Sequence, residues 1–145
     1  MGKTKITLDT NVLISAFGWE GNPKRIFNEI INRNIELAFS SEQFDELSRT
    51  LDYPKFSFTE EQKRRFKNLI LEIAILVKSE EKIEVIKDDP DDNIILESAL
   101  AGKVNYIITG DSHLLNLKEF KGIKIITVKE FLEKLLRKGL SIEEK

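Results

Sequence analysis

Lys5-Ile6-Thr7-Leu8-Asp9-Thr10-Asn11-Val12-Leu13-Ile14-Ser15-Ala16-Phe17 changes its hydrophobic period partway along. From Lys5 to Leu8 polar and apolar side chains alternate, as they do in a half-buried strand. Beyond the turn, Val12, Leu13, Ala16 and Phe17 recur at helical spacing. The switch falls at Asp9 and Thr10, so a strand runs into a helix with a carboxylate at the corner. That unit is the building block of a layered α/β fold.

Downstream the same alternation recurs. Pro23 opens a second helix with Ile26, Phe27, Ile30 and Ile31 inward. Residues 35–39 form a second strand, and Ser41 caps a third helix carrying Phe44, Leu47 and Leu51. Tyr53-Pro54 breaks that helix. Thr59-Glu60-Glu61-Gln62 is a capping box for a fourth, whose stripe is Phe66, Leu69, Ile70, Ile73, Ala74 and Val77. A short strand is expected at 83–86. A helix then starts in Asp88-Asp89-Pro90-Asp91-Asp92 and stops near Gly102. Residues 104–109 make a strong strand, Gly110-Asp111 turns into a short helical piece, 123–128 make another strand, and 129–138 a final amphipathic helix. The expected fold is a three-layer α/β sandwich around a mostly parallel sheet. Residues 1–140 read as a single domain and 141–145 as a frayed tail.

Composition narrows the function classes. The chain has 145 residues, 41% of them hydrophobic and 33% charged, which suits one globular domain. It has no cysteine, which excludes disulfides and thiolate metal sites. No stretch approaches the ~20 apolar residues that span a bilayer, so a soluble cytoplasmic protein is expected. The net charge of −2 does not advertise nucleic-acid binding. An anionic partner would need the charge polarised, with basic residues at a rim. Lys24-Arg25 and Lys63-Arg64-Arg65-Lys67 are the candidates, although each also reads as a solvated helix face.

The acids are placed for chemistry. In open parallel sheets ligands bind beyond the carboxyl ends of the strands. Asp9 ends the first strand, and Asp111 lies just past the 104–109 strand. Asp92 continues the buried stripe of Ile95, Leu96 and Ala99, so it points to the edge of the core. Glu46 sits beside the stripe of the third helix. Several carboxylates at one sheet end repel one another unless a divalent cation neutralises them, and all-oxygen ligands suit Mg²⁺ or Mn²⁺.

Four segments resemble the motifs of PIN-domain proteins. They are Leu8-Asp9-Thr10-Asn11-Val12-Leu13-Ile14-Ser15-Ala16, Ser41-Glu42-Gln43-Phe44-Asp45-Glu46-Leu47, the stretch from Asp88 to Ala99, and Ile107-Ile108-Thr109-Gly110-Asp111-Ser112-His113-Leu114-Leu115. They occur in family order over residues 5–132, and the chain looks most like the VapC-like branch of toxin–antitoxin pairs. The resemblance implies a metal-dependent endoribonuclease that leaves 5′-phosphate and 3′-hydroxyl ends. Carried over position by position, Asp9, Glu46, Asp92 and Asp111 are its catalytic metal-site acids, with Asn11 and Thr109 as polar supporters. Lys24, Arg25, Arg64 and Arg65 become candidate RNA contacts. A small antitoxin and a homodimer are the implied partners. One departure is His113, which stands where many such sequences carry an acid.

Each acid has a plainer account. Asp9 can cap the first helix. Asp89 can be an N-cap, with Pro90 first in the helix and Asp92 favoured by the helix dipole. Glu42 and Asp45 rival Glu46, Asp111 can be a turn residue, and His113 can be a surface or packing residue. A housekeeping RNA-processing nuclease and a PIN-like module that binds without cutting remain alternative functions. A phosphatase-like use of Asp9 as nucleophile is weakened by Asn11, where that chemistry usually has a second Asp.

Overall fold

The opening period change becomes β1 (Lys5–Leu8) and α1 (Thr10–Gly18). A computed structural model of the chain describes residues 2–85 and 91–137. There follow α2 (Asn22–Ile31), β2 (Glu36–Ser40), α3 (Ser41–Leu51), a 3-10 turn (Pro54–Phe56), α4 (Glu60–Ile73) and β3 (Ile75–Val77). The second half comprises α5 (Asp91–Gly102), β4 (Tyr106–Ile108), α6 (Ser112–Leu115), β5 (Glu119–Phe120), β6 (Ile123–Ile126) and α7 (Val128–Arg137). The expected caps at Asp88 and Asp89, Pro90 as first helical residue, and the tail at 141–145 all lie outside the described residues.

The strands form one sheet in the order β3-β2-β1-β4-β6-β5. All neighbours are parallel except the short β5–β6 pair. Alternation along each strand sends side chains to two separate cores. Ile6, Leu8, Leu37, Phe39, Ile108 and Ile126 face a core completed by α1, α2, α3, α4 and α7. Ala38, Ile107 and Ile125 face a second core completed by α5 and α6. Helices therefore cover both faces, giving the expected three-layer α/β sandwich. Each fully buried Leu, Ile or Phe contributes about 1.5–3 kcal/mol by leaving water. Gly102 lets the end of α5 lie against β2, since a Cβ there would fall 2.6 Å from Ala38 Cβ.

Four expectations need correction, the first being Ile31, which ends α2 exposed at 42% and does not face inward as Ile26, Phe27 and Ile30 do. Residues 83–85 form no strand, and Ile86 lies outside the described residues. The Ile83 N–H instead donates to the Glu97 carboxylate at 2.8 Å. The strand is Ile75–Val77, because Ala74 leaves the helix with φ −83° and ψ 148° and the β-prone Ile-Leu-Val run pairs with β2. Val77 had mimicked the stripe of the fourth helix only by spacing. Finally, Ser40 and not Ser41 caps α3, in a capping box with Gln43.

Candidate metal centre

β1 lies between β2 and β4, so the chain builds outward on one side and then crosses to the other. The crevice at the carboxyl ends of β1 and β4 is the switch point where such sheets bind ligands. Asp9 and Asp111 both stand there.

Asp9 is fixed through its backbone and both carboxylate oxygens. Its N–H donates to the Ile108 carbonyl at 3.1 Å, extending the β1–β4 ladder. Oδ1 accepts the Asn11 N–H at 2.7 Å and so caps α1. Oδ2 accepts the Thr109 hydroxyl at 2.6 Å. Asp9 is therefore both a helix cap and a member of the acid group. Thr109 is fully buried, and its N–H donates to the Ile126 carbonyl at 3.0 Å. Its Oγ1 also accepts the Asp111 N–H at 3.0 Å. Asp111 in turn caps α6 by accepting the His113 N–H at 2.7 Å.

Glu46 is aimed by its neighbours. The Thr10 hydroxyl donates to its Oε1 at 2.7 Å, tying the first turn of α1 to α3. Gln43, almost fully buried, donates through Nε2 to Thr7 Oγ1 at 3.0 Å and accepts the Ser40 N–H at 2.9 Å. These bonds pin the start of α3 to β1 and β2. Asp92 occupies the first turn of α5, with its side chain 12% exposed and its Oδ2 buried. His113 Nδ1 lies 3.9 Å from Asp92 Oδ2 and 3.8 Å from Asp111 Oδ1.

Asp9, Glu46, Asp92 and Asp111 line one cleft of about 250 Å³, together with Asn11. Glu42 and Asp45 are exposed on α3 and do not line it. The cleft also contains Thr10, Gln43, Tyr53 and Lys55, which sequence reasoning did not assign to it. Gln43 had a readable signal, its capping-box spacing from Ser40. Tyr53 and Lys55 had none, since the Tyr53-Pro54 break says nothing about what the turn faces. Lys24 and Arg25 stand on α2, Arg64 and Arg65 on α4, and none of these four lines the cleft. Lys63, in the same basic run, is engaged locally with Asp52 and Glu60.

The donor set fits a divalent cation. Four carboxylates sharing one cleft are mutually repulsive, and an ion held by oxygen ligands removes that repulsion. One ligand atom each from Asp92, Asp111 and His113 lies within 4.8 Å of the others.

Residues 5–113 match the PIN domain family. VapBC2 from Rickettsia felis, solved bound to a DNA fragment from its promoter, is similar in structure at TM-score 0.59 and 16% identity, over 86% of this chain and 98% of that one. PAE2754 from Pyrobaculum aerophilum is similar at TM-score 0.63 and 17% identity, over 92% and 90%. At these identities the likeness is one of fold. No curated protein is a significant match.

Proposed function

This chain belongs to the PIN-domain family, and from that premise we propose that it is a Mg²⁺- or Mn²⁺-dependent endoribonuclease, the toxin component of a toxin–antitoxin pair. The family is generally one of nucleases. The observation that carries the reading is the convergence of Asp9, Glu46, Asp92 and Asp111 on one cleft at the switch point.

Those four carboxylates would hold the ion. When bound, it lowers the pKa of a coordinated water and offsets charge on the phosphate. The chain's own residues supply position. Thr109 holds Asp9 and the Asp111 backbone in one register across β1 and β4. Thr10 turns Glu46 toward the same cleft. Lys55 lines the cleft opposite in charge to the acids and would attract a phosphate of the RNA. Asn11 would hydrogen-bond the scissile phosphate or water. Lys24, Arg25, Arg64 and Arg65 would contact RNA only away from the carboxylates.

Residues 1–140 would act as one domain, as a homodimer, in the cytoplasm where RNA is available. Among the described residues no helix is long and apolar enough to cross a membrane. A small antitoxin is the proposed regulatory partner. The test is RNA cleavage by purified protein in MgCl₂ or MnCl₂ against EDTA, beside an Asp9→Asn protein. Metal-dependent cutting that vanishes in Asp9→Asn supports the reading. Equal cutting by both proteins assigns the activity to a contaminant. No cutting of any of several RNAs leaves two readings, a very selective toxin or a module that binds without cutting.

A further inference from the structure

We propose that the His113 imidazole is itself a metal ligand, making this a mixed nitrogen–oxygen centre that holds first-row transition ions such as Mn²⁺ in preference to Mg²⁺. The inference rests on the carboxylate metal centre proposed above and assigns it a ligand beyond the four acids.

Three observations converge on the ring. Nδ1 lies 3.9 Å from Asp92 Oδ2 and 3.8 Å from Asp111 Oδ1, beyond hydrogen-bond range for both. Two atoms bound to one ion at about 2.0–2.2 Å each can lie up to about 4.4 Å apart, so both separations suit ligands of a shared ion. The backbone also sets the ring's position. The His113 N–H is bonded to Asp111 Oδ1, so the cap that starts α6 places the imidazole beside the two carboxylates. The third observation is access, because the His113 side chain is 49% exposed whereas Asp92 is 12% exposed. His113 is thus the most exposed of the three groups, standing beside the carboxylates and not in the lining of the cleft.

The chemical consequence is selectivity. Imidazole nitrogen is a softer donor than carboxylate; Mn²⁺, although it also takes all-oxygen sites, lies above Mg²⁺ in its acceptance of nitrogen as a first-row transition ion, while Mg²⁺ keeps to oxygen ligands and retains its waters. Removing the ring should therefore cost Mn²⁺ binding and leave Mg²⁺ binding nearly untouched.

The experiment is calorimetric titration of the full chain with Mn²⁺ and with Mg²⁺, and pulsed EPR of the Mn²⁺ complex, for wild type and His113→Ala. The expected result is a nitrogen hyperfine coupling in wild type that disappears in the variant. Mn²⁺ affinity should fall by about tenfold or more, within the range for lost metal-site support, and Mg²⁺ affinity by less than about twofold. His113→Gln provides the same readout should His113→Ala fail to fold. Mn²⁺ bound without nitrogen coupling, or with equal affinity in both proteins, overturns the proposal and leaves the carboxylate centre standing. Wild-type protein that binds neither ion overturns both.

Discussion

The Thr109 hydroxyl donates to Asp9 Oδ2 at 2.6 Å, joining the ends of two neighbouring parallel strands by one side-chain bond. Thr109 Oγ1 also accepts the Asp111 N–H, so one buried hydroxyl serves two acids. Thr109→Val keeps the shape and removes both bonds. It is expected to cost about 1–3 kcal/mol of stability and to weaken metal binding about 10–100-fold, while Thr109→Ser stays close to wild type. Urea unfolding and Mn²⁺ titration of the three proteins check this.

Clustered carboxylates trade stability for binding. Asp92 is more enclosed than Asp111, its side chain 12% exposed against 30%, and Asp92→Asn relieves repulsion at almost constant volume. Without metal the variant should be more stable than wild type, by about 0.5–2 kcal/mol. Wild type should gain about 2.7 kcal/mol when Mg²⁺ reaches about 100 times its Kd, and the variant should gain little. Melting curves with and without Mg²⁺ decide it. A variant less stable than wild type in EDTA would mean that the acids do not strain the fold.

How far the sequence foretold this site depends on which residues are asked about. The strand-to-helix switch at Asp9 was visible because period two and period 3.6 differ within a few residues. The meeting of Asp9 with Asp111 was only inferable, since it depends on β4 crossing to the far side of β1. β3 was missed because three residues are too few to show alternation, and Ile75–Val77 extended a helical spacing by chance. The Ser40 cap was hidden because the last strand residue doubles as the first helix cap. Tyr53 and Lys55 reach the cleft through the path of a turn, which no periodicity encodes.

Gly102 provides a packing test remote from the chemistry. An added methyl would lie 2.6 Å from Ala38 Cβ, deeper than any ordinary contact. Gly102→Ala gains helix propensity of about 1 kcal/mol yet should lose about 1–3 kcal/mol from overpacking. Ala38→Gly in the same chain should recover part of that loss, and a double-mutant cycle measures the coupling. Metal affinity should not change.

Lys63 spans α3 and α4 by pairing with Asp52 at 2.8 Å and with Glu60. The hydrogen bond and charge of Lys63 hold the Asp52 carboxyl below its ordinary range, and bonds to Asp52 and Glu60 raise the Lys63 ammonium. The Asp52 contribution is present above its unfolded pKa and is lost as pH falls through its depressed folded value. The Lys63 contribution is present below its unfolded pKa and is lost as pH rises through its raised folded value. The melting difference between wild type and Lys63→Met should accordingly be greatest at neutral pH and shrink at both extremes. It should be small, as for exposed pairs, and fade in about 1 M salt.

The division of the sheet into two cores also bears on how much of the sequence the architecture constrains. Ile6, Leu8, Ile107 and Ile108 are asked only to be apolar and to fit, a demand that many side chains meet. The acids hang from the strand ends by backbone and hydroxyl bonds, outside that apolar exchange. Substitutions can accumulate through both interiors without moving the carboxylates. A chain can thus be 16% identical to another and share its architecture, because the apolar positions that build the two interiors accept many side chains.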